Sequence, residues 1–99
     1  METFIQPKVT GYRQLNETEA QLMNEIKALG QKIEGHLAMV DSHLRTQSAN
    51  ANAAIATDGG AENARIQAAG PGRWVSIART DFQTGLMALT RAVAQPTTF

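Results

Sequence analysis

The sequence has no cysteine, no net charge and no long apolar run, and each absence excludes a class of protein. Without cysteine there is no disulfide framework and no thiolate metal site, which fits a reducing compartment. Nine basic and nine acidic side chains cancel, whereas proteins that coat DNA or RNA carry an excess of Lys and Arg. No apolar run approaches the roughly 18 residues that span a membrane, and METFIQPKVT does not have the order of a signal peptide. We therefore expect no nucleic-acid polymer and no membrane as partner.

Signatures of catalysis are also missing. The sequence contains no GK[ST] phosphate loop, no HExxH and no GxSxG, and no Ser or Thr stands in a recognisable relation to a histidine. His36 and His43 lie seven residues apart with Glu34 and Asp41 nearby, so a metal site between paired helices is one interpretation. Ordinary surface or interface histidines are the simpler one, because this ligand set is too small for a closed site. We expect no enzyme, no cofactor and no metal.

One long helix is predicted over residues 16–47. Asn16 and Glu19 have the spacing of a capping box at its start. Apolar residues then recur at spacings of three and four, the period of one helical face: Leu22, Ile26, Leu29, Ile33, Leu37, Val40 and Leu44. Gly30 and Gly35 interrupt this apolar stripe, which indicates either a tolerated kink or the close approach of another backbone.

A second long helix is predicted over residues 72–95, after an Ala-, Asn- and Gly-rich connection over 48–71. Pro71 suits a first helical turn and Pro96 a stop. The connection should contain a frayed helix end, a loop around 58–60 and a short helical turn at 61–69, because Ala favours helix while Asn and Gly oppose it. A second apolar stripe runs along the last helix: Trp74, Ile77, Ala78, Phe82, Gly85, Leu86, Leu89 and Val93.

These patterns predict that the 99 residues form a single all-α domain. In it, two long antiparallel helices form a hairpin, and an N-terminal segment over 1–15 precedes the first helix. Two helices leave the outer flank of each apolar stripe exposed, and a chain this short buries a modest fraction of its surface alone. Pairing with further copies into a multi-chain bundle is the natural remedy. We therefore expect an oligomer.

Tyr12 and Lys27 are the candidate residues for a ligand-binding site. The chain has one tyrosine, just ahead of the first helix, and Lys27 lies about ten residues into that helix, roughly 15 Å from its start. If two first helices pair antiparallel, Tyr12 of one copy can approach Lys27 of the other. Two rings and two ammonium groups suit a ligand with two bases and two phosphates. The alternative is that Tyr12 packs on the helix start and Lys27 is a solvated charge.

The segments TGYRQLNETEAQLMNEIKALG and RWVSIARTDFQTGLMALTRAVAQP resemble the two ends of the bacteriophage anti-CBASS family of cyclic-oligonucleotide sponges. The resemblance covers residues 10–32 and 73–96, and the Ala- and Asn-rich stretch over 48–69 lies outside it. It implies small helical proteins that assemble as hexamers, trimers of dimers, in the cytoplasm of the infected bacterial host. It also implies that cyclic nucleotides are bound without cleavage, which blocks a bacterial CBASS immune response.

The resemblance also implies roles for individual residues. The stacking tyrosine of the family falls on Tyr12, and its phosphate-binding lysine falls on Lys27. Some members bind cyclic trinucleotides at a separate pocket, using an Arg before the Trp of the last helix, which is Arg73 here. The resemblance assigns Thr3 and Gln6 of the N-terminal segment to the same pocket.

Two functions from different classes follow from these observations. The first is a sponge that sequesters cyclic dinucleotides, and trinucleotides at a second pocket. The second is a structural or partner-binding helical oligomer in which Tyr12 and Lys27 have no nucleotide ligand. The sequence does not decide which cyclic nucleotides are preferred, because base selectivity depends on contacts that periodicity does not reveal.

Overall fold

The computed structural model describes residues 13–97, and every regular element in that range is an α-helix. In chain order they are α1 (Glu17–Ala53), α2 (Ile55–Asp58), α3 (Ala61–Ala69) and α4 (Pro71–Ala94). The two long helices, α1 and α4, pack against each other as a hairpin. The all-α hairpin predicted from the sequence is confirmed.

Helix α1 begins where the capping pair predicts. Asn16 Oδ1 accepts a hydrogen bond of 2.8 Å from Glu19 N, and Asn16 N donates one of 3.0 Å to Glu19 Oε1. These two bonds form a complete capping box, in which the side chain of each residue accepts a hydrogen bond from the backbone N–H of the other. Glu17 and Glu19 also place negative charge in the first turn, where the helix dipole favours it.

The far end of α1 differs from the prediction, because the helix continues to Ala53 rather than ending at 47. The end is not frayed. Ala51 is only 1% exposed, and Asn63 of α3 donates a 2.8 Å hydrogen bond to Asn52 of α1. Alanine has the highest intrinsic helix propensity, and α3 folding back over this turn adds packing that a sequence pattern does not show.

The predicted connection over 48–71 is therefore mostly helical. Ala54 alone separates α1 from α2, and a tight turn at Gly59 and Gly60 reverses the chain into α3. Both glycines have positive φ, 68° and 90°, a region that residues with a Cβ rarely adopt. Asp58 stabilises the turn, because its carboxylate accepts hydrogen bonds from Gly60 N at 2.8 Å and from Glu62 N at 3.3 Å. The turn lies within the 58–60 loop that the sequence predicted.

The register of α1 against α4 is visible at two points. A methyl group placed on Gly30 would lie 3.3 Å from Leu86 Cδ1, so α4 approaches α1 closely where a side chain is missing. Four residues further along α1, Glu34 Oε1 accepts a 2.9 Å hydrogen bond from Arg79 Nη1. Gly30 therefore fits the close-approach interpretation. No described atom lies near the corresponding position at Gly35.

The hairpin leaves much of its apolar surface uncovered. Ala51 is the one fully buried residue between 13 and 97, and the molecule is long and thin, with extents of 68 × 33 × 18 Å. Within the stripe on α1, Ile26, Ile33, Leu37 and Leu44 are half-buried, while Leu22, Leu29 and Val40 remain exposed. On α4, Trp74 is 59% and Met87 72% exposed. One chain therefore encloses no core of its own within the described range.

Among residues 13–97, no helix is both long enough and apolar enough to cross a bilayer.

Candidate functional site

Lys27 lines a groove between the two long helices. One wall is formed by residues 26–34 of α1 and the other by residues 84–94 of α4, with Pro96 beyond its end. We call this the Lys27 groove. Its volume is about 1030 Å³, at the upper limit of the roughly 300 to 1,000 Å³ typical of small-molecule sites. The sequence predicted Lys27 as a phosphate-binding residue and did not predict that α4 would lie opposite it; in the structure Lys27 is exposed and lines this groove.

The Lys27 groove is lined by apolar residues together with a few charged and polar ones; we call its apolar part the apolar floor. The apolar residues come from both helices: Ile26, Leu86, Met87, Ala88, Ala94 and Pro96. Charged and hydrogen-bonding groups are added by Lys27, Gln31, Glu34, Thr84, Thr90 and Arg91; the carboxylate of Glu34 is paired with Arg79. An apolar floor accepts the face of an aromatic base, while ammonium and guanidinium groups donate to phosphate oxygens. The groove therefore has the chemistry to hold a compact anionic ligand that carries bases.

Arg13 closes one end of the hairpin. Its Nη2 donates a 2.7 Å hydrogen bond to Val93 O, and its Nε donates one of 3.2 Å to Ala94 O. Nη1 donates to Glu19 Oε1 at 3.0 Å, and Nη2 forms an ion pair with Glu19 Oε2. These four contacts, which we call the Arg13 clamp, join the segment before α1 to the last carbonyls of α4, where a cation complements the helix dipole.

The Arg13 clamp and the capping box share Glu19, and this sharing perturbs both charged groups. The side-chain hydrogen bond from Arg13 lowers the pKa of Glu19, and the hydrogen bond from Asn16 N lowers it further. The same bond to Glu19 raises the pKa of Arg13 above its usual value. One carboxylate therefore orders the start of α1 and the chain just before it.

Arg73 lies in the first turn of α4, far from Lys27. Its guanidinium carbon is 5.5 Å from the centre of the Trp74 ring, within the range of a cation–π interaction. Along α4, Arg73 precedes Leu86, which lines the Lys27 groove, by 13 residues, roughly 20 Å at 1.5 Å per residue. Within one chain the structure does not bring the two predicted cations together.

Three predicted site residues lie outside the described range. Tyr12, Thr3 and Gln6 all precede Arg13, the first residue that the structure describes. Their roles stay predictions. Tyr12 is nevertheless bonded directly to Arg13, so the clamp fixes the chain one residue away from it.

His36 and His43 are separated by the fold. His36 borders an apolar groove between α1 and the start of α4, near Trp74, whereas His43 borders a polar groove near Asp58 and Glu62. Among residues 13–97, no group of three or more His, Asp or Glu side chains is gathered to hold a metal ion.

Sequence comparison places this hairpin among known proteins. The model of the family described as Acb2/Tad1, hairpin domain, matches residues 6–94. Anti-CBASS protein 2 of Pseudomonas phage JBD67 is 39% identical over an alignment of 99 positions, which covers 90% of this chain and 92% of that protein. The chain belongs to the Acb2/Tad1 hairpin family.

Membership of the Acb2/Tad1 family extends beyond the two matching ends that the sequence analysis identified. The family match spans the Ala- and Asn-rich stretch over 48–69, which the resemblance drawn from the sequence did not cover. It also includes Gln6, Tyr12, Lys27 and Arg73, while Thr3 lies before its first residue.

Arg13 is the residue that sequence reasoning missed. It stands inside the GYR segment, and Glu19 six residues later was already identified as part of the capping box. That spacing was a weak signal for an ion pair. No local pattern could show that the other two partners are the carbonyls of residues 93 and 94, which are 80 and 81 positions away in sequence.

Proposed function

We propose that the chain is a non-catalytic sponge that binds and sequesters cyclic dinucleotides, and cyclic trinucleotides at a second pocket. Sequestration would block a bacterial CBASS antiphage response in the cytoplasm of the infected host. Family membership and the name of the phage relative support this proposal. The observation that carries it is the placement of Lys27 beside an apolar floor between two helices.

The physical argument for a dinucleotide rests on symmetry. Within one chain, Lys27 lies roughly 15 Å from the start of α1, so Tyr12 and Lys27 of the same copy are poorly placed to hold one compact ligand. An antiparallel pair of α1 helices would bring Tyr12 of each copy towards Lys27 of the other. A cyclic dinucleotide has or approximates a two-fold axis, so each half would meet the same ring and the same ammonium group.

A trinucleotide pocket belongs elsewhere in this proposal. Arg73 lies roughly 20 Å along α4 from the residues that face Lys27, which supports a separate site. In a homohexamer arranged as a trimer of dimers, three copies of Arg73 would converge on a three-fold axis, with Thr3 and Gln6 completing the pocket. Three guanidinium forks match three phosphates better than three ammonium groups do.

Calorimetric titration with a panel of cyclic di- and trinucleotides tests the proposed function. We expect tight binding of at least one cyclic dinucleotide, and recovery of the ligand unchanged when the mixture is denatured and chromatographed. Linear dinucleotides of the same bases are the control and should bind more weakly, because they lack the closed two-fold ring. Absence of binding across the panel would favour a structural or partner-binding oligomer, and appearance of a cleaved product would refute a sponge.

A further inference from the structure

Arg91 lies on the α4 wall of the Lys27 groove. Most lining residues of α4 recur at spacings of three and four, the period of one helical face: Thr84, Met87, Ala88, Arg91 and Ala94. On α1, Lys27 lines the groove with Gln31 and Glu34, at the same kind of spacing. The hairpin therefore places a lysine and an arginine on opposite walls of one groove.

The register of the two helices brings Lys27 and Arg91 to similar levels along the hairpin. Gly30 lies opposite Leu86, and Glu34 pairs with Arg79, so the helices run antiparallel. Lys27 precedes Gly30 by three residues and Glu34 by seven, which makes it level with residues 86–89 of α4. Arg91 follows that level by two to five residues, about 3 to 8 Å along the axis. Because packed helices lie about 8 to 10 Å apart, the two long side chains can reach one anion between the walls.

The charges that line the groove favour an anion. Among its described lining residues, Lys27 and Arg91 are cationic and Glu34 is anionic. Arg79, which is not among the lining residues, donates a 2.9 Å hydrogen bond to Glu34 Oε1 and compensates that carboxylate. The two cations therefore outweigh the one carboxylate beside the apolar floor.

The position of Arg91 also suits a role in the helix itself. Arg91 is in the last turn of α4, where a cation complements the negative end of the helix dipole. A lysine would serve that role as well. Phosphate makes a stricter demand, because the guanidinium fork offers two parallel N–H donors to its oxygens, whereas an ammonium group acts as a point charge. The two roles therefore respond differently to Arg91→Lys.

We infer that Arg91 is a second phosphate-binding residue of the Lys27 groove, and that Lys27 and Arg91 of one chain bind the same phosphate of a cyclic dinucleotide. This inference rests on the function proposed for Lys27. The Arg91 guanidinium donates two N–H bonds to the phosphate oxygens, and the Lys27 ammonium adds a charge from the opposite wall. The phosphodiester lies between the helices, with its bases against the apolar floor.

Calorimetric titration of a cyclic dinucleotide into the wild-type protein, Arg91→Gln and Arg91→Lys tests the inference. We expect Arg91→Gln to weaken binding about ten- to a hundredfold, as loss of a charge-assisted hydrogen bond does. Arg91→Lys should cause a smaller loss, because it keeps the charge without the fork. Circular dichroism and light scattering check helix content and mass. If Arg91→Gln does not fold, Arg91→Lys decides the matter, and wild-type affinity in that variant would overturn the inference.

Ionic strength gives a second readout that a purely structural role would not change. Raising the salt concentration from about 0.1 to 1 M should weaken wild-type binding, because salt screens exposed charges. The weakening should be smaller in Arg91→Gln, which has lost one of the charges. Arg65→Gln is the matched control, since Arg65 pairs with Glu62 on α3 outside the groove lining, and it should keep both the wild-type affinity and its salt dependence. Lower thermal stability of Arg91→Gln with unchanged affinity would show a role in the helix dipole alone and would overturn the inference.

A double-mutant cycle between Lys27→Ala and Arg91→Gln tests whether the two residues share one phosphate. Residues that contact one group are coupled, so the loss in the double variant should differ from the sum of the single losses. Additive losses would contradict a shared phosphate. Failure of the wild-type protein to bind any cyclic dinucleotide would refute the proposed function and the inference together. Tight wild-type binding that depends on Lys27 but not on Arg91 would refute the inference alone.

Discussion

At the scale of single residues, Lys27 is distinguished from Lys32, the other lysine between residues 13 and 97, by the wall that α4 forms opposite it. Lys32 lies five residues further along α1, about 140° around the helix axis, and is exposed but absent from the lining of the Lys27 groove. Both are lysines in the body of one helix. The fold, rather than the residue type, makes them different.

Lys27→Ala should therefore weaken cyclic dinucleotide binding, while Lys32→Ala should not. Loss of one charge-assisted phosphate contact costs about 1.5 to 3 kcal/mol, and a symmetric ligand loses two such contacts. Titration calorimetry measures the difference, and light scattering checks that both variants keep the wild-type mass. Equal affinities of the two variants for the dinucleotide would show that Lys27 is a solvated surface charge that does not contact the ligand.

Arg73 is distinguished by its distance from that groove and by its contact with Trp74. We expect Arg73→Ala to abolish cyclic trinucleotide binding and to spare cyclic dinucleotides, with Lys27→Ala showing the reverse pattern. Arg45→Ala is the control, since Arg45 is an exposed arginine of α1 paired with Asp41. Titrating each variant with both ligand classes provides the measurement. Displacement of one ligand class from the wild-type protein by saturation with the other would contradict two independent pockets.

The ionisation of Glu19 should make the stability of the fold depend on pH. Its pKa in the folded chain lies below the ordinary value of 4.5, first because of the hydrogen bond from Arg13 and then because of that from Asn16 N. A lowered folded-state pKa means that Glu19 stabilises the fold above its unfolded pKa, and that this contribution is lost as the pH falls through the folded-state value. Acidification below about pH 4.5 should therefore loosen the Arg13 clamp.

Thermal unfolding followed between about pH 6 and pH 3 tests this expectation. The midpoint of the wild-type protein should fall on acidification, and Glu19→Gln should show a shallower fall, because its side chain does not titrate. Glu25→Gln, which removes an exposed carboxylate from the same helix, is the matched control for a carboxylate-to-amide change outside the clamp. Parallel curves for the wild-type protein and Glu19→Gln would show that the clamp contributes nothing that depends on pH.

At the scale of the helices, the two glycines of α1 have different surroundings although the sequence gives them the same pattern. A methyl group at Gly30 would meet Leu86 Cδ1 at 3.3 Å, whereas at Gly35 it would meet no described atom within 4 Å. Replacing an interior helical glycine by alanine stabilises a helix by roughly 0.5 to 1 kcal/mol. At Gly30 that gain is offset, because Leu86 must move by a few tenths of an ångström.

Gly35→Ala should therefore stabilise the protein more than Gly30→Ala does. Chemical denaturation of both variants and of the wild-type protein, at one protein concentration, gives the free energies of unfolding. A gain at Gly30 equal to or larger than that at Gly35 would contradict the close packing of α4 on this turn of α1. A loss at Gly35 would show that another copy of the chain approaches there.

At the scale of the whole molecule, the exposed apolar stripes support the proposal that copies of the chain associate. Large apolar side chains such as Leu29, Trp74 and Met87 are all more than 40% exposed in the single chain. Soluble monomers rarely leave so much contiguous apolar surface in water. Association of copies is the simplest way to cover it, and family resemblance suggests six of them.

Light scattering coupled to size exclusion should give a mass six times that of the 10.7 kDa chain. Leu29→Glu, which places a charge on the exposed stripe, should reduce that mass while helix content stays high. Ser42→Glu is the control, because Ser42 is also exposed on α1 and lies on the opposite side of the helix. A 10.7 kDa species at all concentrations would refute the proposed assembly and the two-fold site that depends on it.

The sequence by itself determined the start of α1, the two apolar stripes and the all-α class. Each of these depends on neighbours within about four residues, so capping and periodicity reveal them directly. The tertiary structure decided the extension of α1 to Ala53, the Arg13 clamp, and the wall of α4 that turns Lys27 into part of a groove. These features depend on the antiparallel register of helices that are far apart in sequence. Leu86 packing near Gly30 and Arg79 pairing with Glu34 define that register. Local periodicity contains no information about it.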